Sequence, residues 1–151
     1  MKPASVLLFV LAQAFAAAGY AACNVAGPNL PFGPYDPLGP VGSTTSSVIT
    51  VFCDMSPPPN VTIEIGPSPN SGGFAPRRMR RAGGADTLDY NVYLDSSTSI
   101  VWGDGGSGTH VATRRVFRNR PWNATIFGRM PPGQDVAPGD YSDSIAVTIN
   151  F

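Results

Sequence analysis

The side chains that could carry out chemistry are few in this chain. Its single histidine, His110, is accompanied by no Gly-x-Ser-x-Gly nucleophile elbow and no HExxH motif, so the sequence offers no recognisable hydrolase site. One histidine and two cysteines that lack a CxxC spacing do not supply the usual number of zinc ligands. We therefore expect no catalytic residue, no metal site and no cofactor, and we expect that the protein is not an enzyme.

The two cysteines, Cys23 and Cys53, have one chemical use that suits their number. In an exported protein an even count of cysteines indicates disulfide bonds, and two cysteines allow a single pairing. The bridge would close a loop of about 30 residues, for which the chain-entropy model gives roughly 3–4 kcal/mol of stabilisation. The sequence therefore predicts a Cys23–Cys53 disulfide.

A Gly-rich turn that carries Trp102 and Asp104 could contact carbohydrate. The indole could stack on a sugar ring, and the carboxylate could accept a hydrogen bond from a hydroxyl. Asp-Gly is also a common turn signal, and a tight turn whose tryptophan packs in the core is the simpler interpretation. Both interpretations stay open from sequence alone.

The arginines form two groups, at residues 77–81 and 114–120. Such groups occur in patches that bind nucleic acid or heparin. A nucleic-acid partner would be unsuitable for an exported protein, and a solvated surface explains both groups more simply than binding to an acidic polysaccharide. We therefore expect these arginines to be exposed.

The first 21 residues have the three-part layout of a secretory signal peptide. Met1-Lys2 supplies the positive start, an apolar stretch covers residues 6–18, and the small residues Gly19 and Ala21 occupy the cleavage-site positions. The apolar stretch is shorter than the roughly 20 residues that span a bilayer, so a membrane anchor fits less well. We expect a signal peptide at 1–21, a domain at 22–151, and an exported protein that is not integral to the membrane.

Charge and composition restrict the class of protein. Removing the leader removes Lys2, the only lysine, and leaves nine of the ten basic residues against ten acidic ones, a net charge of about −1 that does not favour nucleic acid. The 17 glycines and 16 prolines exclude a helical bundle, and a 42% hydrophobic content argues against disorder. One all-β domain remains.

Short segments of alternating or β-branched residues predict seven or eight strands, separated by turns. They lie near residues 30–32 and at 44–53, 61–65, 88–94, 100–102, 110–117, 124–127 and 145–151. After the leader, no stretch of about 10–12 residues combines the apolar spacing of a helix with the absence of glycine and proline. The regular spacing of the strands favours a β-sandwich.

The last predicted strand has an apolar side chain at every second position. We call these residues the terminal apolar set: Ile145, Val147, Ile149 and Phe151. Exposed strand edges are normally protected by lysine, proline or a covering element, and this segment has no such residue. The strand is therefore a candidate for pairing with another chain, although an ordinary place inside the sheet is the simpler alternative.

Further short motifs occur in a characteristic order along the chain. They are Cys23, residues 32–36 (FGPYD), Cys53, residues 77–79, 88–93 (LDYNVY), 102–105 (WGDG), 127–131 (FGRMP), 133–134 and 139–143 (GDYSD). In this order and spacing they resemble the spore coat protein U domain family, the pilin-like domains of archaic chaperone–usher pili. The resemblance covers nearly all of the chain after the leader.

The resemblance implies an immunoglobulin-like sandwich that lacks its last strand and leaves a hydrophobic groove open. It implies three partners: a periplasmic chaperone that lends a strand to the groove, an outer-membrane usher, and other pilin subunits whose N-terminal strand replaces the chaperone. Such pairing is β-augmentation, in which backbone hydrogen bonds supply affinity and alternate side chains fill pockets. The terminal apolar set would form one wall of the groove, with the carboxylate of Phe151 presented to the chaperone.

The function that the resemblance implies is an exported structural subunit of a surface pilus, serving attachment and biofilm formation. At about 3.3 Å per residue, the stretch between the expected cleavage site and Cys23 is too short to cross a groove. We therefore expect a subunit that accepts a strand without donating one, at a pilus tip or as a cap. The alternatives are a secreted spore-coat or cell-coat protein without strand exchange, and a carbohydrate-binding module.

Overall fold

The computed structural model describes residues 23–151, and the predicted signal peptide at 1–21 lies outside the described residues. The described part contains nine β-strands and no helix, which confirms the predicted all-β class. In chain order the strands are β1 (Cys23–Ala26), β2 (Ser43–Cys53), β3 (Asn60–Ile65), β4 (Arg77–Arg81), β5 (Thr87–Tyr93), β6 (Ala112–Arg115), β7 (Trp122–Met130), β8 (Tyr141–Ser142) and β9 (Val147–Asn150).

The strands form two antiparallel sheets that share one core. The larger sheet has the order β1-β2-β7-β5-β4-β8, and the smaller sheet has the order β6-β3-β9. The longest ladder joins β2 to β7, from Ser43 opposite Met130 to Val51 opposite Trp122. The sandwich therefore has two ends: one where β2 begins and β7 finishes, and one where β2 finishes and β7 begins.

Alternation of side chains along each strand builds the core between the sheets. The inward-facing residues of β2 and β3 that are fully buried are Ile49, Val51, Cys53, Val61, Ile63 and Ile65. Between them the polar residues of β3, Thr62 and Glu64, face outward and are only half-buried. The period of two that predicted a half-buried strand at 61–65 is confirmed.

The segment around Trp102 joins the two sheets. The Trp102 amide donates to the carbonyl of Val92 in the large sheet (3.0 Å), and the carbonyl of Gly103 accepts from the Ile65 amide in the small sheet (3.0 Å). The predicted strand at 100–102 is present only as isolated bridges, because its backbone divides its hydrogen bonds between two sheets.

Other differences from the predicted strands follow from pairing. Residues 30–32 form no strand, because they lie across the inner face of the large sheet. The arginine run at 77–81 was expected to be a solvated surface, yet it is β4 and pairs with β5 and β8. The short strands β1 and β8 were not predicted, since four and two residues carry too little periodicity to recognise.

Cys23 and Cys53 lie opposite each other on β1 and β2 and form the predicted disulfide. The bridge ties the edge strand β1 to the end of β2. Within residues 23–151 there is no helix long and apolar enough to cross a membrane. Over the same residues no group of three or more histidine, cysteine, aspartate or glutamate side chains is placed to hold a metal ion.

Candidate strand-binding cleft

A cleft of about 1030 Å³ opens between two irregular segments of the chain. One bank is residues 28–37, between β1 and β2, and the other is residues 136–147, which lead into β9. Apolar side chains of both sheets form the floor: Ile65, Met79, Leu88, Val92, Ile126 and Met130. The cleft therefore reaches the hydrophobic core, and an apolar occupant would extend that core.

The first bank is held on the large sheet by close packing at Gly128 on β7. A Cβ placed on Gly128 would lie 2.7 Å from Cζ of Phe32 and 2.9 Å from Cδ2 of Leu30, so only glycine leaves room for these two side chains. The Phe32 ring also meets the Tyr90 ring edge to face, with 5.7 Å between centroids. The bank therefore packs on the sheet without pairing as a strand.

The second bank is tied to the floor by Asp143. The Tyr90 hydroxyl donates to Oδ2 of Asp143 (2.8 Å), and the Asn70 side-chain amide donates to Oδ1 (3.0 Å). Burial of Tyr90 raises the pKa of its phenol, and the hydrogen bond to Asp143 raises it further. The GDYSD motif that contains Asp143 thus has a structural role: it positions the segment that precedes β9.

Gln134 connects the first bank to β5. Its side-chain oxygen accepts from the Asp89 amide (2.7 Å), and its side-chain nitrogen donates to the Asp89 carbonyl (2.9 Å). Its own amide donates to the hydroxyl oxygen of Tyr35 (2.9 Å), which in turn donates to the carbonyl of Pro131 (2.8 Å). Tyr35 and Gln134 were recognisable from sequence only as parts of the family motifs, because their partners lie far apart along the chain.

The backbone of β9 has a free edge beside the cleft. β9 pairs only with β3 among the described strands, with Val147 opposite Ile65 and Ile149 opposite Ile63. The Gly66 amide donates to the carbonyl of Ala146 (2.8 Å), and hydrogen-bonded pairs alternate along an antiparallel ladder. The amides and carbonyls of Val147 and Ile149 therefore point away from β3, where an added strand could bond to them.

The structure brings part of the terminal apolar set into the cleft. Ile145 and Val147 line it, and Ile149 packs against the core from the same strand. Phe151 follows the end of β9 and is 58% exposed. These positions agree with a strand whose inner face continues the core, and pairing with another chain stays a prediction.

Arg77, the first residue of β4, is fully buried, so the expectation that all arginines of this run are exposed is wrong. Its guanidinium donates to the carbonyls of Gly66 (2.8 Å) and Trp102 (2.9 Å). It also donates to Oδ1 of Asn91 (2.7 Å). Burial lowers the pKa of Arg77 to about 10. The side chain is thus an internal polar link between the two sheets.

The possible glycan contact at Trp102 and Asp104 is not supported by their positions. Trp102 is fully buried and its Nε1 donates to the carbonyl of Ile63 (3.0 Å), so neither face of the indole is open to a sugar. The Asp104 carboxylate accepts from the Gly106 amide (2.8 Å) and from the Thr109 hydroxyl (3.3 Å) within its own turn. The core interpretation of the tryptophan is therefore the correct one.

Comparison with known proteins places these features in a family. The model of the Spore Coat Protein U domain matches residues 9–148. The chain is 33% identical over 143 residues to Protein U of Myxococcus xanthus, covering 86% of this chain and 78% of that protein.

Two solved structures resemble the fold. One is a chaperone–tip adhesion subunit pre-assembly complex, CsuC–CsuE, from the archaic chaperone–usher Csu pili of Acinetobacter baumannii, with a TM-score of 0.61 and 14% identity over 87% of this chain. The other is a chaperone–tip adhesin complex of CFA/I fimbriae, with a TM-score of 0.48 and 11% identity over 84% of this chain. In each case the chain spans 40% of the matched chain's length. The first likeness shows that the sandwich has the immunoglobulin-like fold expected from the motifs.

Proposed function

The chain belongs to the Spore Coat Protein U domain family, and from that premise we propose that it is an exported structural subunit of a surface pilus. The observation that carries the proposal is the apolar cleft beside the free edge of β9. This arrangement suits donor-strand complementation, in which a second chain supplies the strand that the sandwich lacks.

The geometry defines the occupant of the cleft. An added strand beside β9 would bond to the outward amides and carbonyls of Val147 and Ile149, because these groups have no bond to β3. Every second side chain of that strand would point down to the apolar floor, which includes Leu88 and Val92. The occupant is therefore an extended segment with alternating apolar residues.

The proposed partners follow from this mode of binding. A periplasmic chaperone would fill the cleft first, and the CsuC–CsuE complex offers a parallel, since it joins a chaperone to a tip adhesion subunit before assembly. At an outer-membrane usher, the strand of another pilin subunit would then replace that of the chaperone. The role is structural and not enzymatic.

The predicted signal peptide at 1–21 suits export to the periplasm and display on the cell surface, where a pilus serves attachment and biofilm formation. A position at the tip or as a cap is a further prediction. Sequencing the N-terminus of the exported protein tests it, because a mature chain with a long alternating apolar segment before Cys23 would be able to donate a strand.

Co-expression with a cognate periplasmic chaperone tests the proposed function. We expect a stable one-to-one complex, together with a free chain that aggregates or unfolds more readily. A soluble, fully folded monomer that does not bind the chaperone would contradict strand acceptance. That result would favour a coat protein that packs without strand exchange.

A further inference from the structure

The two ends of the sandwich carry opposite charge. At the end where β2 begins, the loops at 33–42 and 131–140 contain three aspartates and no basic residue. At the end where β2 finishes, the short strand β6 and the loop at 116–121 contain four arginines. We call these the acidic end and the basic end.

The acidic end is a single surface, because Tyr35 holds its two loops together. The hydroxyl of Tyr35 donates to Pro131 (2.8 Å) and accepts from Gln134 (2.9 Å). The three aspartates of these loops are exposed, and none forms an ion pair within residues 23–151: Asp36, Asp135 and Asp140. Arg81 reaches this surface, because its Nη1 donates to the carbonyl of Pro138 (3.3 Å). Its Nε is paired with Asp86 on the adjacent hairpin (2.9 Å), so the three loop aspartates remain in excess of positive charge.

The basic end is held in a similar way. The Val116 amide donates to the carbonyl of Pro59 (3.0 Å), which joins the loop after β6 to the loop after β2. The exposed arginines of this end are Arg114, Arg115, Arg118 and Arg120. Arg118 is paired with Asp54, the one acidic side chain in the two loops that meet here. An excess of positive charge therefore remains.

The two charged ends cannot neutralise each other within one molecule. The eleven residues of β2 separate them by about 35 Å, and the Debye length at 0.1 M salt is about 10 Å. Both ends also expose apolar side chains beside the charges. Leu38 (93% exposed) and Val41 (80%) lie at the acidic end, and Phe117 (50%) lies at the basic end under the Arg115 guanidinium, 5.8 Å from the ring centroid.

From this complementarity we infer that the acidic end of one copy docks on the basic end of a second copy, in a head-to-tail contact. Opposite charges around exposed apolar side chains have the composition of a specific protein interface, with a polar rim and an apolar centre. A heterologous contact of this kind does not close on itself and so extends into a row of subunits. The inference adds an interface to the proposed pilus subunit and requires no strand donated by this chain.

Charge reversal tests the contact. One variant carries Arg114→Glu and Arg120→Glu, and the other carries Asp135→Arg, the aspartate of the acidic end that lies outside both banks of the cleft. None of these side chains makes a hydrogen bond or an ion pair within residues 23–151, so both variants should fold. In sedimentation velocity of the full exported chain at about 0.1 M salt, we expect each variant alone to associate at least tenfold more weakly than the wild type. An equal mixture of the two variants should recover the association, because their altered ends are complementary.

Two controls separate this contact from strand exchange. Thr125→Glu adds a negative charge on the exposed outer face of β7, midway between the ends, and should leave association unchanged. Val147→Asp should weaken capture by the chaperone roughly thirtyfold or more, while the salt-sensitive association of copies persists. Association that survives about 1 M salt and both charge reversals would overturn the inference, as would a mixture that fails to recover it.

Discussion

The hydroxyl of Tyr90 donates a hydrogen bond to the carboxylate of Asp143 across 2.8 Å and so connects the floor of the cleft to the segment that leads into β9. Tyr90 belongs to β5 in the large sheet, whereas β9 belongs to the small sheet. This contact therefore helps to fix the position of the free edge relative to the floor, together with the hydrogen bond from the Asn70 side-chain amide to the same carboxylate (3.0 Å).

Removing this contact should loosen the second bank. Tyr90→Phe keeps the ring and its edge contact with Phe32 but deletes the hydroxyl, and we expect the free energy of unfolding to fall by about 1–3 kcal/mol at neutral pH. Urea denaturation measures this change. Tyr35→Phe, which deletes a hydroxyl on the opposite bank, is the matched control. If Tyr90→Phe bound the chaperone as tightly as the wild type, Asp143 would have no role in positioning β9.

The same contact predicts a dependence on alkaline pH. The pKa of Tyr90 lies above its ordinary value of 10.0, so above pH 10 the unfolded chain loses this proton while the folded protein keeps it. The free energy of unfolding should therefore fall as the pH rises above about 10. The lowered pKa of Arg77 acts in the opposite direction. The comparison of wild type with Tyr90→Phe isolates the tyrosine, and parallel curves for the two proteins would refute the assignment.

A carboxylate inside the cleft should block strand binding without unfolding the chain. In Val147→Asp the new side chain points into the open cleft, where water can reach it, but an added strand would bury it without a partner. We expect capture by the chaperone to weaken by about 2 kcal/mol or more, roughly thirtyfold. Thr148→Asp, on the exposed side of the same strand, should retain capture. Equal affinity of the two variants would contradict the position of the cleft.

The buried guanidinium predicts a large loss of stability. Arg77→Met leaves the carbonyls of Gly66 and Trp102 without a donor inside the core, and we expect the free energy of unfolding to fall by about 3–5 kcal/mol. The control is Arg80→Met on the exposed side of β4, which should change it by less than about 0.5 kcal/mol. Chemical denaturation of both variants measures the difference, and similar values would show that Arg77 is not a link between the sheets.

The packing of the first bank depends on a missing side chain. Gly128→Ala places a methyl group against Phe32 and Leu30, so the bank must move away from the sheet, at a cost of about 1–3 kcal/mol. Gly27→Ala is the control, because a Cβ there meets no atom within 4 Å. Limited proteolysis should cut the 28–37 segment faster only in the first variant; unchanged cleavage would indicate that the segment is not held at Gly128.

The last prediction concerns the disulfide between Cys23 and Cys53. The bridge closes a loop across a sequence separation of 30 residues, so replacing both cysteines by alanine should lower the free energy of unfolding by about 3–4 kcal/mol. A reducing agent should destabilise the wild type by a similar amount and leave the double variant unchanged. If the reducing agent left the free energy of unfolding of the wild type unchanged, the disulfide would not make this contribution.

Local patterns determined much of this fold. The alternation of Val61, Ile63 and Ile65 indicated β3, and that of Leu88, Tyr90 and Val92 indicated β5, because a strand with one buried face needs an apolar side chain at every second position. Such signals are contained in a few neighbouring residues, so they can be recognised without knowledge of the rest of the chain.

Elements whose partners are distant in sequence were missed. The run at 77–81 has the composition of a solvated surface, and only the carbonyls of Gly66 and Trp102, brought together by two different sheets, make it favourable to bury Arg77. The prediction of a strand near Leu30 and Phe32 was wrong because apolar residues were read as part of a sheet. Its residues are apolar, but they pack on Gly128 from above and form no ladder.

The sequence by itself determined the all-β class, the cysteine pair and the family, since each depends on composition or on the order of short motifs. Only the tertiary structure decided where the cleft lies. Its two banks, at 28–37 and 136–147, are about a hundred residues apart in the chain. Tyr35 holds the first bank to the loop that contains Gln134, and Tyr90 on β5 holds the second bank through Asp143. A surface made by two distant segments has no local signal, because the energy that forms it comes from contacts that exist only after the sheets have packed.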